Sequence, residues 1–546
     1  MSDFKNIHDK LLNDYPRAII HMRMQFEAKR FCLMFGSGLN KWFKLPNWPE
    51  LVRKIAADPK VKGSSILNRL SKSASLPYKT EILFQHFRDL HASQLDPAHK
   101  NSRDFESNIH AEWLKICAKN LYGNASRDFK VKLARHPYLL KYIPIIQNTQ
   151  MTITYNFDDY IERSLAERRA SGDTTKGYET ITDPWTQFRR ESGVVYHPHG
   201  VLAKELMETP VDKFVFSESS FTKKFLGALS GDLTALLNHL SKHTCLMIGL
   251  SLEDEMLRNL LVLSAQSNHG NYHYCVKFVA KNLDAAKREA IRQANFRVYN
   301  LITLFLNDDE IAALGELINP SVFDDDQFVD RAQVIQKPLI YRFYITGALG
   351  AGKSTAIGKF RNLGTVDEWL EKRPGKLKRY WRKLSRKQRS DTDRWLRRQF
   401  TLKNDNLRSK RWGIFVIDRP PLDPLAFTQS IGRSAKAKKL YKAVCWDGSF
   451  EIAKGTVILL QDDPKELELR ARLTDRSEYT ADVLSAMQRD LEKIYRGRGL
   501  VIVETRGRTM QETARKIAEI IHLENYQEFD FTRRLVAYKE GRYGNR

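Results

Sequence analysis

The sequence has few cysteines and no paired-cysteine motif. Its 546 residues include five cysteines, which lie far apart, and none belongs to a C-x-x-C pair. Structural zinc sites and disulfide frameworks are built from cysteines at characteristic spacings. We therefore expect neither a four-cysteine zinc site nor a disulfide framework, and we expect a reducing, cytoplasmic location.

Long apolar runs are also missing. The unbroken apolar stretches stay well short of the ~18 residues that a membrane-spanning helix needs. Residues 1–5 do not begin the basic-then-apolar order of a secretory signal. Hydrophobic residues still make up 42% of the chain, and its length leaves room for two to four domains. We expect several domains with buried cores and no membrane span.

Acidic residues are scarce in one segment. The chain carries a net charge of +25, and residues 371–412 hold 17 lysines and arginines against four acidic residues, a local net charge of +13. Aromatic residues such as Trp395 and Phe400 are interleaved with these cations. This basic block is a candidate binding site for a phosphorylated ligand, nucleic acid or an acidic partner, and the alternative is a solvated helical face.

A phosphate-loop motif divides the chain. Residues 347–354 read GALGAGKS, the G-x-x-x-x-G-K-[ST] pattern, between a predicted strand and a predicted helix. The glycines allow backbone N–H groups to surround a polyphosphate, while the lysine reaches the outer phosphates and the serine ligates Mg²⁺. The residues predicted to bind nucleotide are Gly347, Gly352, Lys353, Ser354 and Thr355.

Further apolar strands follow this motif. Residues 412–417 lead into Asp418-Arg419, and further strands are predicted at 456–460 and 500–503, before a helix over 510–521. A carboxylate at a strand end suits Mg²⁺ or an acceptor hydroxyl, and an arginine suits phosphate.

The second half resembles the thymidylate and deoxynucleoside-monophosphate kinase group. The matching elements are the phosphate loop, the Asp418-Arg419 pair and an arginine-bearing, lid-like segment at 470–476. The resemblance implies ATP or another nucleotide as ligand, with Ser354 and Asp418 holding Mg²⁺. It places Arg419, Arg470 and Arg476 beside the phosphates. The insert at 371–411 departs from the compact kinases and leaves the acceptor open.

Four apolar strands in the first half end in polar residues. The segment 31–35 leads to GSG at 36–38, and the segment 151–154 leads to YNFD. Residues 194–196 lead to HPHG, and residues 245–248 lead to GLSLED. Strands that alternate with helices predict a parallel sheet, whose ligand site lies at the carboxyl ends of its strands. We expect the four polar clusters to converge there.

Residues 25–310 resemble the sirtuin-like (silent information regulator two-like) NAD-binding family. The resemblance rests on FGSG at 35–38 with LPNW at 45–48, TYNFD at 154–158, YHPHG at 196–200 and GLSLED at 249–254. It implies that NAD is the substrate, with Gly36, Ser37 and Gly38 at the pyrophosphate and Gly249 and Ser251 by the adenosine ribose. The catalytic residues that it implies are Asn156, Asp158 and His199, and His197 is a supporting or structural histidine.

The first half departs from protein-deacylating sirtuins because it lacks their zinc ribbon of paired C-x-x-C motifs. The pattern looks closer to the sirtuin-like effector domains of bacterial anti-phage systems, which hydrolyse NAD to nicotinamide and ADP-ribose. Such a cleavage builds positive charge on the ribose and needs a positioned water and a group that handles ribose-hydroxyl protons.

The predicted fold class is α/β: a Rossmann-like, sirtuin-type parallel sheet domain followed by a phosphate-loop NTPase α/β domain. The predicted boundaries are a helical lead-in at 1–25, the NAD hydrolase domain at 26–317, an acidic linker at 318–337 and the kinase-like domain at 338–546.

These features together predict a conditional NAD hydrolase of an anti-phage system, gated by its nucleotide-binding half and acting as a homo-oligomer. One alternative is a nucleotide kinase with a regulatory sirtuin-like domain. Another is a nucleic-acid-responsive binding protein, and an ADP-ribosyl transferase is a variant of the first hypothesis.

Overall fold

The chain forms two compact units in the computed structural model. The first comprises Met1–Leu11 and Gln25–Asp324, and the second comprises Leu12–Met24 and Asp325–Arg546. The structure describes residues 6–92, 103–123, 129–172, 177–182, 193–204, 214–229, 234–279, 283–372, 374, 385–444, 451–473 and 479–542.

The first unit contains a seven-stranded, all-parallel sheet with the order β3-β4-β2-β1-β5-β6-β7. Its strands are β1 (Phe31–Phe35), β2 (Met151–Thr154), β3 (Tyr178–Ile181), β4 (Gly193–Tyr196), β5 (Thr244–Ile248), β6 (His273–Phe278) and β7 (Leu301–Leu306). The four predicted strands are β1, β2, β4 and β5, and they are neighbours in the sheet. Because all four run parallel, their carboxyl ends lie at one edge.

Helices connect these strands, as parallel pairing requires. They are α3 (Trp48–Ala57), α4 (Ser64–Arg69), α5 (Leu76–Ala92), α6 (Arg103–Tyr122), α7 (Phe129–Ala134), α8 (Leu139–Asn148), α9 (Tyr160–Ala170), α10 (Glu218–Leu229), α11 (Thr234–Lys242), α12 (Glu255–Ser267), α13 (Ala285–Tyr299) and α14 (Asp308–Ile318). All five residues of β1 and of β5 are buried, which explains their continuous apolar sequence.

One cysteine pair corrects the sequence-based expectation. Cys32 on β1 lies directly opposite Cys245 on β5, and the two form a disulfide. The bonded residues are 213 positions apart in the sequence. Only the register of the two strands makes them neighbours, so their spacing in the sequence carried no sign of the bond.

The second unit contains a five-stranded, all-parallel sheet with the order β12-β11-β8-β10-β9. Its strands are β8 (Ile340–Gly347), β9 (Gly364–Val366), β10 (Gly413–Asp418), β11 (Thr456–Gln461) and β12 (Leu500–Glu504). Its helices are α15 (Asp325–Val334), α16 (Lys353–Gly358), α17 (Arg386–Arg408), α18 (Asp423–Ala426), α19 (Arg433–Val444), α20 (Pro464–Arg472), α21 (Ala481–Tyr495), α22 (Met510–His522) and α23 (Phe531–Lys539). Both units are α/β with parallel sheets, which confirms that part of the predicted fold class.

Two further helices open the chain, α1 (Ile7–Asp14) and α2 (Pro16–Glu27). The predicted lead-in at 1–25 overlaps both helices, and most of α2 belongs to the second unit. Arg23 is fully buried there, donates to Asp325 at 2.7 Å and lies 4.8 Å over the ring of Phe328.

About half of the predicted linker at 318–337 is the helix α15 (Asp325–Val334), and the preceding helix α14 ends at Ile318. The acidic composition favoured a linker, but Phe328 is fully buried and its ring contacts Trp412. Burial of this aromatic ring ties the segment to the second unit.

None of the helices in the described part of the chain combines the length and the apolar character that crossing a bilayer requires.

Candidate functional site

Two glycine loops clasp each other at the carboxyl edge of the first sheet. The N–H of Gly38 donates to the carbonyl oxygen of Gly249 at 3.0 Å. A Cβ added at Gly36 would lie 2.5 Å from the same oxygen, and one at Gly38 would lie 2.6 Å from Gly249 Cα. Gly249 itself has φ +71°, a conformation that favours glycine. The loops after β1 and β5 can therefore meet only as glycine backbones.

Asn156 joins the end of β2 to its neighbours. Its Nδ2 donates to the carbonyl oxygen of Gly36 at 3.2 Å, and its own carbonyl oxygen lies 3.0 Å from His197 Nδ1. The side chain is buried. The strand ends of β1, β2 and β4 are thus linked through one asparagine.

Asp158 lies in the same buried edge. Its carboxylate accepts from the Nδ2 of Asn40 and from the N–H of Tyr160, the latter at 3.1 Å. Burial raises the pKa of Asp158 to about 6, although these two hydrogen bonds oppose the rise. Asn40 was not among the predicted site residues, and its place in the turn Ser37–Phe43 after β1 explains why it reaches Asp158.

His199 forms a buried pair with Asp254. Its Nε2 lies 2.6 Å from Asp254 Oδ2, while its buried Nδ1 has no hydrogen-bond partner among the described residues. Aromatic rings surround the imidazole, with centroid separations of 5.1 Å to Tyr155, 5.2 Å to Phe221 and 6.3 Å to Trp48. The site thus contains one buried ring nitrogen without a hydrogen-bond partner among the described residues, in aromatic surroundings.

His197 differs because both of its ring nitrogens are engaged. Nε2 lies 2.6 Å from Glu162 Oε1, and Nδ1 contacts the carbonyl oxygen of Asn156. Burial works against the charged form, but Glu162 outweighs it and holds the pKa of His197 above its usual value. The side chain is suited to holding Asn156 in place and has no ring nitrogen left for a ligand.

Sequence reasoning missed Asp254 and Glu162 as site residues. Asp254 was part of the GLSLED motif, and its position immediately before α12 could have marked it as a helix cap. Glu162 lies on α9 with no distinguishing pattern around it. The side chains of the two predicted serine ligands, Ser37 and Ser251, are exposed at this edge.

The predicted phosphate loop connects β8 to α16. Gly350 and Gly352 have φ of +79° and +81°, which favour glycine, and Gly352 caps α16. Lys353 is buried, and its Nζ donates to the carbonyl oxygens of Gly347 at 3.0 Å and Ala348 at 2.8 Å. Burial and the charge of Arg419 lower the pKa of Lys353 to about 8, against the opposing effect of nearby carboxylates.

Ser354 and Thr355 follow in the first turn of α16, where both are exposed. Arg470 reaches the loop, since its Nη1 lies 3.4 Å from the carbonyl oxygen of Gly350 and 2.8 Å from Asp462 Oδ2. Arg476 lies outside the described residues, as do residues 373 and 375–384 of the basic block.

Asp418 and Arg419 end β10, the neighbour of β8. Arg419 has φ 63°, a strained conformation for this residue type. Its guanidinium is paired with Glu368 at 2.9 Å and with Asp423 at 3.2 Å. Burial is the largest cause that raises the pKa of Asp418, and the negative charge of Glu368 is the next. Oδ1 of Asp418 is a buried atom without a hydrogen-bond partner among the described residues.

Lys403 is a site residue that the sequence analysis did not identify. It belongs to α17 in the basic block, yet its Nζ donates to the backbone oxygens of Asp418 and Arg419. Burial lowers the pKa of Lys403 to about 8. The signal was available, because Gln399, Lys403 and Leu407 recur at helical spacing on one face of α17.

A cavity of ≈ 1260 Å³ adjoins these residues. Its walls combine aromatic rings, cations and carboxylates. The residues that matter for its chemistry are Trp369, Phe400, Phe427, Arg397, Lys403, Arg419, Lys436 and Asp423. Such a lining suits a ligand that has both a ring and an anionic group.

Part of the first unit is similar to a known protein family. Residues 150–299 match the family model for the SIR2-like domain, which covers less than a third of the 546-residue chain. No curated protein matches. The matched segment contains Asn156, Asp158, His199, Gly249 and Asp254, and so supports the sirtuin-like character of this part. It is compatible with an enzyme that uses NAD.

Proposed function

We propose that the first unit hydrolyses NAD to nicotinamide and ADP-ribose. The observation that carries this proposal is the convergence, within one SIR2-like sheet edge, of Asn156, of the pair His199–Asp254 and of the Gly36–Gly249 clasp. The three features supply an amide, an imidazole and close backbone approach, which are the groups that a dinucleotide-cleaving site needs.

Each residue has a role in this proposal. Gly36, Ser37 and Gly38 bind the pyrophosphate, and Gly249 and Ser251 bind the adenosine ribose. Asn156 positions the attacking water and Asp158 orients the nicotinamide ribose. His199 accepts the proton that the water or a ribose hydroxyl gives up. Aromatic surroundings keep bulk water from competing with that reaction.

The direct test is nicotinamide release by the purified full-length protein. The Asn156→Ala and His199→Ala variants should each lose at least about a hundredfold in rate, the scale of a lost acid–base or positioning group. Glu253→Gln is the matched control, because Glu253 is exposed and directly precedes Asp254. Parental rates in both site variants would show that the site lies elsewhere.

We further propose that NAD hydrolysis is conditional and serves anti-phage defence, with the second unit as the switch and a homo-oligomer as the active form. Phosphate loops change neighbouring segments according to the bound phosphates and Mg²⁺. In this proposal ATP or another nucleotide binds Gly347, Gly352 and Lys353, and Mg²⁺ binds Ser354 and Asp418.

The Lys353→Ala variant tests this coupling, since it removes a cation that already lies against the loop. It should change the nucleotide dependence of NAD hydrolysis, either freeing the activity or abolishing its response. To move the equilibrium from mostly inactive to mostly active, a trigger must favour the active state by about 5 kcal/mol. NAD turnover that ignores both nucleotide and Lys353 would show that the units are uncoupled.

A second candidate function is phosphoryl transfer to a nucleoside monophosphate. The observation that favours it is the large cavity lined by Arg419 and Lys403, with aromatic walls for a base and cations for a phosphate. ADP formation from ATP, measured with each common nucleoside monophosphate, tests it. Transfer that Lys353→Ala abolishes, with no NAD turnover in any condition, would replace the first proposal.

A further inference from the structure

The two histidines at the end of β4 differ in what their ring nitrogens contact. His197 uses both nitrogens, on Glu162 and on the Asn156 carbonyl oxygen. His199 uses Nε2 on Asp254, and its Nδ1 has no partner in the part of the chain that the structure describes. In the described part of the chain, the two histidine–carboxylate pairs therefore leave one buried ring nitrogen without a hydrogen-bond partner, Nδ1 of His199.

Asp254 is held in place from its other side. Its Oδ1 accepts the N–H of Leu257 at 2.7 Å and so caps α12. This hydrogen bond orients the carboxylate, so that Oδ2 lies against His199 Nε2. The rotamer of Asp254 is thus fixed by the helix and not by the histidine alone.

The protonation of Asp254 is set by the same contacts. Burial alone would raise its pKa, but the hydrogen bond from His199 and the amides at the start of α12 outweigh burial and hold the pKa below its usual value. An ionised carboxylate can only accept hydrogen bonds. Nε2 of His199 must therefore carry the hydrogen that lies between the two side chains.

We infer that Asp254 is a positioning residue that holds His199 in the Nε2–H tautomer and so makes Nδ1 the atom that accepts the proton during NAD cleavage. This inference rests on the proposed hydrolase function. It assigns the reacting atom of the histidine, which neither the family match nor the motif identifies.

The proposed step balances as follows. The bond between the ribose carbon and the nicotinamide nitrogen breaks, and its electron pair leaves with neutral nicotinamide. A water oxygen forms the new bond to the ribose carbon, and the water proton moves to Nδ1 of His199. The resulting imidazolium is stabilised by Asp254 through the Nε2–H bond. The proton then returns to solvent.

The first measurement needs neither a variant of Asp254 nor enzyme activity. Protein labelled with ¹⁵N in its histidine rings is studied by NMR, and the resonance that disappears in His199→Gln identifies His199 among the 14 histidines. We expect a protonated Nε2 and an unprotonated Nδ1 in the parental protein. A proton on Nδ1 in the neutral ring would overturn the inference.

The second measurement uses Asp254→Asn, which retains an oxygen to cap α12. The variant should lose the preference of His199 for the Nε2–H tautomer. Its kcat for nicotinamide release should fall about a hundredfold, with KM within about threefold of the parent, because orientation and not ground-state binding is lost. Glu253→Gln should retain both the parental tautomer and the parental kcat.

Other outcomes also decide the matter. A fall in kcat without a change of tautomer, or a change of tautomer without a fall in kcat, contradicts the assigned role. If Asp254→Asn does not fold, Asp254→Glu replaces it with the same two readouts. If the parental protein never cleaves NAD, the hydrolase proposal fails, while the tautomer measurement still decides whether Asp254 fixes His199.

Discussion

The two units place glycine-rich loops at equivalent points, directly after a parallel strand, but the glycines serve different contacts. In the first unit, Gly36 and Gly38 lie against the backbone of Gly249, so backbone atoms occupy the space that a side chain at either position would need. In the second, Gly352 adopts a left-handed conformation and a Cβ there would meet only the side chain of Met510. The backbone of the first loop is thus closed against another loop, whereas the backbone at Gly352 faces only a flexible side chain.

This difference teaches why the two sites differ in how they can be recognised. The loop of the second unit carries its predicted binding groups in one continuous segment, so the motif by itself predicts a chemistry. The first site is assembled from the ends of β1, β2, β4 and β5. Its glycines indicate a binding site only together with residues that lie more than a hundred positions away in the sequence.

The largest expected effect concerns the glycine loop of the first unit. Gly36→Ala should lower the free energy of unfolding by about 3 kcal/mol, because its Cβ would meet the Gly249 carbonyl oxygen, which is backbone and cannot rotate away. Chemical denaturation measures this. Gly358→Ala is the control, because a Cβ there meets no atom within 4 Å. Equal stability of the two variants would show that the clasp is loose.

A pH experiment contrasts the buried charges of the units. Because the folded pKa of Asp158 is about 6, above its unfolded value of 3.8, the protonated carboxyl favours the folded state. This contribution is complete below pH 3.8 and is lost as the pH rises through about 6, and it amounts to about 3 kcal/mol. Asp158→Asn should therefore flatten the fall in stability between pH 4 and 7, measured by thermal unfolding.

Two lysines of the second unit give the opposite dependence of stability on pH. The folded pKa of Lys353 and that of Lys403 are both lowered to about 8. The protein therefore loses stability as the pH falls below the unfolded pKa of each lysine.

The outcome that would contradict the Asp158 prediction is an unchanged pH profile in Asp158→Asn. It would mean that the carboxyl is ionised and solvated, in conflict with its burial.

A smaller effect is expected for the glycine loop of the second unit. Gly352→Ala should lower the free energy of unfolding by only about 1 kcal/mol, which is the strain of a left-handed alanine. A larger loss is not expected, because only the flexible side chain of Met510 lies within reach of the added Cβ. The substitution should nevertheless weaken nucleotide binding, measured by titration with a fluorescent ATP analogue. A loss of stability as large as that of Gly36→Ala would remove the distinction between the loops.

The smallest expected effect concerns the basic block. Lys387 and Arg408 are exposed on α17, whereas Lys403 on the same helix is turned to the cavity. If nucleic acid binds there, replacing either exposed cation by Gln should reduce the slope of log affinity against log salt by about 0.9, as one phosphate contact is lost. Labelled DNA at two salt concentrations tests this, with exposed Lys242→Gln of the first unit as control. Absence of binding at low salt would exclude nucleic acid as a partner.

Local patterns account for the parts of the fold that were predicted. The run at 31–35 became β1 and the helix predicted at 510–521 became α22, because an apolar strand or an amphipathic helix is specified by its own neighbours in sequence. The helix within the predicted linker segment illustrates the converse case. Composition described Asp325–Val334 as acidic, and only the buried ring of Phe328 turned it into a packed helix.

The sequence by itself determined the parallel α/β architecture, the strand ends that carry polar residues and the GALGAGKS motif, since each depends on residues close together in the chain. The tertiary structure decided which of the two histidines after β4 keeps a ring nitrogen without a partner among the described residues, that Lys403 turns inward, and that Cys32 meets Cys245. The physical reason is that hydrogen bonds, burial and strand register join residues whose separation in sequence leaves no local trace.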